Sequence, residues 1–300
     1  MKLRFQTLDV FADRPFAGNP LAVVFAGDAL RPGDMLAIAR EFNLSETVFL
    51  LEPRDPVNTA RARIFTPTEE LPFAGHPTIG AAAALAKARA GDILGRSDVV
   101  VALEEGIGTL RCEILRSRQG VIYAQFDAPL LPERAADAAS PDDWARALSL
   151  APGEVGFGAH RPGVWSAGLP IAFVPVASRA AVDRARRGPA FSTAAGDAKG
   201  VFIYCAETVD PDAAIHARML ANGLGFDEDP ATGSAAAAFA GVALAMERPE
   251  DGEHELFIEQ GFAMGRPSRI TLRMSVTNGA LTHVAIGGCV AFVGEGTLTL

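Results

Sequence analysis

The sequence is poor in the residues that mark several classes of protein. It has only three cysteines, two tryptophans and two tyrosines in 300 residues. Cys112, Cys205 and Cys289 lie far apart and form no Cys-x-x-Cys pair, so a disulfide framework is not indicated. We expect a protein of the reducing cytoplasm.

Long apolar runs are also lacking. Glycine, proline or charged residues interrupt each apolar segment well before the ~20 residues that a membrane-spanning helix needs. The first ten residues alternate like a strand and do not resemble a signal peptide. The formal net charge is −9, which disfavours nucleic acid and anionic membranes as partners. We therefore expect a soluble protein with neither partner.

Common cofactor motifs are missing as well. The histidines are scattered and show no His-x-His or His-Glu-x-x-His spacing, and neither a phosphate-binding loop nor a strand-linked Gly-x-Gly-x-x-Gly turn is found. The sequence predicts no metal and no nucleotide cofactor. The five histidines are His76, His160, His216, His254 and His283.

What the sequence does contain is a turn that occurs twice. The pattern Glu-x-Pro-x-x-Gly begins at Glu70 and again at Glu228, and each copy runs into an alanine-rich segment. The two copies align without a gap and place His76 and Ser234 at equivalent positions. The chain therefore looks internally duplicated.

Apolar patterning predicts an α+β fold in two pseudo-symmetric halves, residues 1–128 and 129–287, with a last strand at about 288–300 that returns to the first half. Each half is predicted to be a mostly antiparallel, curled sheet around a central alanine-rich helix, because such a helix is apolar on every side. The first of these helices is predicted from Pro77 to Ala90. A helix over Pro32–Phe42 and a short helix entered through Ser140 and Pro141 are also expected. Residues 128–163 are predicted to link the halves.

The two helix starts, Gly75-His76 and Gly233-Ser234, are candidate anion-binding sites. A helix N-terminus offers unpaired N–H groups and a partial positive charge, and a glycine lets a ligand approach the backbone. If the halves pack as partners, both starts could hold one carboxylate or developing enolate. The alternative is that His76 and Ser234 only cap their helices.

Two acids add to this picture. Asp229 stands in the second turn where the first has Leu71, so the turn itself does not require an acid. The Asp229 carboxylate could hold a substrate, or it could stabilise the turn before Pro230. Glu46 lies among apolar residues at the start of a strand. Burial would raise its pKa and suit it to general acid/base work, while the alternative is an exposed strand-end residue.

Five segments together resemble the phenazine-biosynthesis PhzF-like isomerase family. They cover almost the whole chain in family order: Asp13 to Val24, Asn43 to Phe49, Phe73 to Thr78, Glu228 to Ala235, and Gly261 to Ser268. The resemblance implies a diaminopimelate-epimerase-like fold and a cofactor-free enzyme, commonly a homodimer. One departure is Met219 to Asn222, where the family often carries Phe-Ala-Pro.

The resemblance also implies roles for individual residues. Glu46 would take a proton from one carbon of a small acid and return it to another, as in trans-2,3-dihydro-3-hydroxyanthranilate isomerase. Two alternatives stay open: a non-catalytic binding or interaction protein on the same fold, and a racemase or epimerase of unusual chemistry. The implied catalytic residues are Glu46, His76, Asp229 and Ser234, and the implied substrate-binding residues are Gly75, Gly233, Asn19 and Thr232.

Overall fold

The computed structural model describes residues 1–25, 28, 30–91, 94, 97–116 and 121–300. These residues form two compact units, Met1–Asp127 with Gly287–Leu300, and Ala128–Ile286. None of the helices in these ranges is long and apolar enough to cross a membrane.

The first unit is a curled sheet with one helix at its centre. Strand β1 (Lys2–Val10) pairs antiparallel with β2 (Asn19–Phe25) and with β17 (Ala280–Thr299), β2 runs parallel to β3 (Glu46–Leu51), and β8 (Ile122–Asp127) pairs back to β17. In chain order the elements are β1 (Lys2–Val10), β2 (Asn19–Phe25), α1 (Pro32–Phe42), β3 (Glu46–Leu51), β4 (Ala60–Phe65), β5 (Glu70–Leu71), α2 (Gly75–Ala90), β6 (Val99–Glu105), β7 (Gly108–Arg116) and β8 (Ile122–Asp127).

Helix α2 is the centre of this unit because its side chains are small. It packs against strands on all sides, and its residues are buried up to its last turn. Helix α2 lies so close to β2 that a Cβ on Gly80 would be 2.3 Å from Leu21 Cδ2. Helix α1 covers the outer face of the sheet through Met35, Ile38 and Ala39.

The second unit repeats this plan. Strand β11 runs parallel to β12, as β2 does to β3, and β13 runs antiparallel to β12, as β4 does to β3. The elements are β9 (Glu133–Ala136), α3 (Pro141–Ala147), β10 (Gly163–Ser166), β11 (Pro170–Pro175), α4 (Arg179–Arg184), α5 (Phe191–Ala195), β12 (Gly200–Cys205), β13 (Ile215–Ala221), β14 (Glu228–Asp229), α6 (Gly233–Glu247), β15 (Gly252–Gln260), β16 (Ser268–Thr277) and β17 (Ala280–Thr299), which continues into the first unit.

Helix α6 is the alanine-rich centre of the second unit, buried from Ala235 to Ala243. The short helices α3, α4 and α5 form an outer apolar layer in which Trp144 is fully buried. The predicted α+β fold of two curled sheets around central helices is therefore confirmed.

Two local predictions were wrong. Residues 128–163 are not a linker, because β9 pairs with β10 and α3 packs into the core. Helix α2 begins at Gly75 rather than Pro77, so Pro77 is its third residue. A proline is still tolerated there because the first N–H groups of a helix have no acceptor within it.

Candidate active site

Three buried side chains of the first unit meet beside the start of α2. Asn19 begins β2, Glu46 begins β3, and His76 is the second residue of α2. Asn19 Nδ2 donates to His76 Nδ1 at 3.2 Å, and His76 Nε2 lies 3.4 Å from Glu46 Oε2. Ser45 Oγ donates to Asn19 Oδ1 at 3.3 Å and so orients the amide. The parallel strands β2 and β3 thus deliver an amide and an acid to one helix end.

These contacts set the protonation of His76. An amide nitrogen can only donate, so Nδ1 accepts and the ring proton lies on Nε2, on the side of Glu46. Burial lowers the pKa of His76 to about 3, because a buried imidazolium loses its hydration. At neutral pH, Glu46 therefore has a neutral N–H donor beside it rather than a cation.

Neither His76 nor Ser234 caps its helix. The N-cap residues are Ala74 and Thr232, without a capping side-chain bond, and both His76 and Ser234 lie one residue inside the helix. The capping alternative is therefore wrong. The first N–H groups of each helix have no acceptor within it.

The second unit has its own polar group around the start of α6. Thr232 Oγ1 donates to Asp229 Oδ2 at 2.6 Å. Gln260 Nε2 donates to the Asp229 carbonyl at 2.7 Å, and Thr232 N donates to Gln260 Oε1 at 3.2 Å. Asp229, Thr232 and Gln260 are buried, and Ser234 is half-buried. Sequence reasoning missed Gln260, whose one signal was its place directly before the segment that begins at Gly261.

That segment supports the second turn. Gly261 has φ 82°, and a Cβ there would lie 2.6 Å from the Pro230 carbonyl oxygen. Ser268 Oγ lies 3.0 Å from the same oxygen and 2.9 Å from the Arg266 carbonyl oxygen, and its one hydrogen is shared between these two acceptors. The backbone of Gly261 and the hydroxyl of Ser268 thus hold Pro230, and with it Asp229, in place.

The duplicated glutamates also have an explanation. Arg63 forms a two-bond fork to Glu70, and Arg218 forms the same fork to Glu228. In each unit the arginine lies on the strand that pairs with the two-residue strand of the turn. The repeated Glu therefore anchors the turn to the sheet.

Each predicted site residue now has a place. The first unit brings together Asn19, Glu46 and His76, with Gly75 beside His76. In the second unit, Asp229, Thr232, Gly233 and Ser234 follow one another in a single turn. In the described ranges, no set of three His, Cys, Asp or Glu side chains is arranged to hold a metal ion.

Similar proteins identify the class to which this fold and these residues belong. The family described as phenazine biosynthesis-like protein (PhzC-PhzF) matches residues 8–296. An uncharacterized isomerase of Mesorhizobium japonicum is 47% identical over 297 residues, covering 97% of this chain and 96% of the relative. The trans-2,3-dihydro-3-hydroxyanthranilate isomerase of Pseudomonas chlororaphis is 33% identical over 295 residues, covering 98% of each.

A solved structure agrees over the full length. The PhzF-family phenazine biosynthesis protein of Bacillus anthracis superposes with a TM-score of 0.89 at 25% identity, covering 100% of both chains. The chain belongs to the phenazine biosynthesis-like (PhzF) family and is an isomerase.

Proposed function

We propose that the protein moves a proton between two carbons of a small acid without a cofactor, with Glu46 as the general acid/base. The observation that carries this proposal is the buried group of Asn19, Glu46 and His76. Glu46 is an acid with a neutral donor 3.4 Å away. Because His76 is neutral at neutral pH, the carboxyl of Glu46 is suited to take up and return a proton.

The proposed reaction has two proton transfers. Glu46 accepts a proton from a carbon next to, or allylic to, a carbonyl or carboxylate, and the electron pair moves into the conjugated system. The same carboxyl then returns the proton to a different carbon, so no atom is gained and nothing is oxidised. N–H groups at a helix start stabilise the negative charge that develops on the substrate oxygens. The Nε2–H of His76 is a further donor for this charge.

For the second unit we propose substrate-binding roles. Asp229 is ordered by Thr232, and its carboxylate suits an amino or hydroxyl group of the substrate. The N–H groups of Gly233 and Ser234 at the start of α6 suit a carboxylate. Asp229 has no counterpart in the first turn, which has Leu71 there.

The proposed substrate class is a small cyclic acid with an amino or hydroxyl group. The support for this class is the activity of the Pseudomonas chlororaphis relative, an isomerase of trans-2,3-dihydro-3-hydroxyanthranilate. That compound is the first probe to use, followed by related cyclic amino and hydroxy acids.

The test compares Glu46→Gln with the wild type by following deuterium uptake from D2O into the probe. Loss of the shuttle should reduce exchange by about 10²–10⁴-fold, the usual contribution of a general acid/base. Glu41→Gln, on the exposed face of α1, is the matched control and should exchange at the wild-type rate. Undiminished exchange in Glu46→Gln, with the probe still turned over, would remove Glu46 from the mechanism.

We further propose that the protein works as a homodimer in the cytoplasm. Cys112, Cys205 and Cys289 form no disulfide in the described part of the chain, which suits a reducing compartment. The dimer is what the family resemblance implies. Sedimentation or light scattering at micromolar concentration measures the mass directly. A monomer at those concentrations would contradict the proposed dimer.

A further inference from the structure

Glu105, at the end of β6, is a half-buried residue of the first unit with a buried carboxyl oxygen and no part in the proposed reaction. Thr78 Oγ1 lies 2.7 Å from Glu105 Oε1 and 2.8 Å from the Ala74 carbonyl oxygen. The other carboxyl oxygen, Oε2, is buried with no hydrogen-bond partner in the described part of the chain. Glu105 therefore touches the first turn of α2, the turn that carries His76.

The second unit shows what this position does. Strand pairing places Glu104 beside Arg61 in one unit and Glu259 beside His216 in the other. Glu105 therefore corresponds to Gln260. The following glycines agree, because a Cβ on Gly106 would lie 2.7 Å from Pro72 Cα, and one on Gly261 would lie 2.6 Å from the Pro230 oxygen.

Gln260 ties its turn to the start of α6. It donates to the Asp229 carbonyl and to Thr232 Oγ1, and it accepts from Thr232 N. An amide can do this because it has donors and an acceptor. A carboxylate has only acceptors, whereas a protonated carboxyl has one of each.

A count of hydrogens shows which form Glu105 takes. The Thr78 hydroxyl has one hydrogen and two acceptors within reach, Glu105 Oε1 and the Ala74 carbonyl. An ionised Glu105 would make Thr78 share its one hydrogen between the two acceptors and would leave Oε2 as a buried, unsatisfied charge. A protonated Glu105 donates to Thr78, and Thr78 donates to Ala74, so both contacts are made.

Burial supports the protonated form, because it raises the pKa of Glu105 to about 8. Thr78 faces the carboxyl from α2, and Cys112 from β7 has its own pKa raised by burial and by Glu105. The remaining charged groups line the same cavity of about 530 Å³: Arg54, Arg61, Arg63, Glu70 and Glu104.

We propose that Glu105 is a positioning residue which, as a neutral acid, holds the first turn of α2 through Thr78 and so sets His76 against Glu46. Its ionisation draws the Thr78 hydrogen to the carboxylate and away from the Ala74 carbonyl, which loosens that turn. The proposal rests on the proposed function in one respect, namely that His76 and Glu46 act on the substrate. The coupling of Glu105 to His76 does not depend on turnover.

The test therefore has a structural readout and a kinetic one. Protein with isotope-labelled histidine is titrated from pH 6 to 10 and the His76 ring signals, assigned with His76→Gln, are followed by NMR. The wild type should show a shift with a midpoint near pH 8. Glu105→Gln, which puts an amide where the other unit has Gln260, should abolish the shift. Glu113→Gln, an exposed carboxyl on β7, should leave it unchanged.

With trans-2,3-dihydro-3-hydroxyanthranilate as probe, the wild-type rate should fall about tenfold per pH unit well above pH 8, as the neutral form is lost. Glu105→Gln should keep the rate at pH 7 and lose this decline, while Thr78→Val should be impaired at both pH values. Three results would overturn the proposal. The His76 signals of the wild type could show no shift, Glu105→Gln could show the same shift as the wild type, or Glu105→Gln could fail to fold. If the His76 signals shift as expected but deuterium exchange is undiminished in Glu46→Gln, the proposed function is contradicted instead.

Discussion

The two arginine–glutamate forks offer a sharp test of how burial changes the value of an ion pair. Arg63 and Arg218 hold Glu70 and Glu228 with the same two-bond geometry, at 2.5–2.6 Å and 2.8–2.9 Å respectively. Their surroundings differ, because the Arg218 side chain is 7% exposed and its partner 16%, against 22% and 41% in the first unit. The perturbation is to change each arginine to alanine.

The expected magnitudes differ several-fold. Arg218 Nη1 also donates to the carbonyls of Val182, Asp183 and Ala185 at the end of α4. Each of these carbonyls also accepts from another donor, so the main loss in Arg218→Ala is the cation beside a largely buried carboxylate. Breaking a buried pair in this way costs about 3–5 kcal/mol. Arg63→Ala leaves its partner in contact with water and should cost about 1 kcal/mol or less.

The assay must distinguish the two units, because a chain of two compact units need not unfold in one step. Native-state hydrogen exchange in increasing urea measures the opening free energy of α2 and α6 separately. Arg218→Ala should lower the value for α6 and Arg63→Ala should barely change that for α2. The double change Arg218→Met with Glu228→Leu should recover much of the loss, because no buried charge remains. Equal losses in the two single variants would refute the reasoning from burial.

Two further predictions concern packing and thiols. Gly80→Ala should destabilise the first unit by about 1–3 kcal/mol through overpacking. Gly33→Ala in α1, where a Cβ meets nothing within 4 Å, should instead stabilise it by about 0.4–1 kcal/mol. Urea denaturation measures both changes, and a loss of stability in Gly33→Ala would contradict the packing argument. At pH 8 a thiol reagent should label Cys289 first, because Cys112 and Cys205 are buried and burial raises the pKa of both, that of Cys205 to about 11. Mass spectrometry locates the label, and rapid labelling of Cys112 in the folded protein would be the contrary result.

Local signals in the sequence were enough for elements whose boundaries are set by neighbours in the chain. The predicted helix Pro32–Phe42 is confirmed residue for residue, since its start is fixed by a proline at the first turn and its apolar residues recur at helical spacing. Ser140 accepts from Asp143 N at the start of α3, as a cap does.

Strand β13 was missed because its signal is not local. His216 and Arg218 interrupt its apolar pattern, yet both are buried. His216 is hydrogen-bonded to Glu259 and Arg218 pairs with Glu228, and both glutamates reach them from other strands. A polar residue in a strand reads as exposed unless its partner is known, so no strand was predicted for this stretch.

The candidate site shows the same limit. Glu46 and His76 could each be singled out from its neighbours, but the bond from Asn19 to His76 joins residues far apart in the chain. One signal was available: Gly18-Asn19-Pro20-Leu21-Ala22 has a counterpart in Gly168-Leu169-Pro170-Ile171-Ala172. Comparison of the two segments identifies Asn19 as a polar residue that the shared scaffold does not require. The catalytic and binding roles of these residues stay predictions.

The duplication separates scaffold from chemistry more generally. Positions that hold the turns are matched between the units: the arginine fork, the glutamate that binds two loop N–H groups, and the glycine that supports the proline. Positions around the helix starts are not matched. Asn19, Glu46 and His76 correspond to Leu169, Gly200 and Ser234, and Leu71 and Glu105 to Asp229 and Gln260.

Gly200 gives this asymmetry a final test. It stands at the start of β12 as Glu46 does at the start of β3, and a Cβ there would lie 2.1 Å from Met219 Cε. Met219 fills the space that an acid would need, so the second unit has no room for a shuttle. In the Glu46→Gln background, Gly200→Glu should therefore restore no deuterium exchange and should lower stability, as overpacked cores do. Adding Met219→Ala to Gly200→Glu makes room for the glutamate side chain. This variant tests whether crowding or the position itself prevents exchange. Recovery of exchange in that triple variant would show that either unit can hold the acid, and that Glu46 owes its role to space rather than to Asn19 and His76.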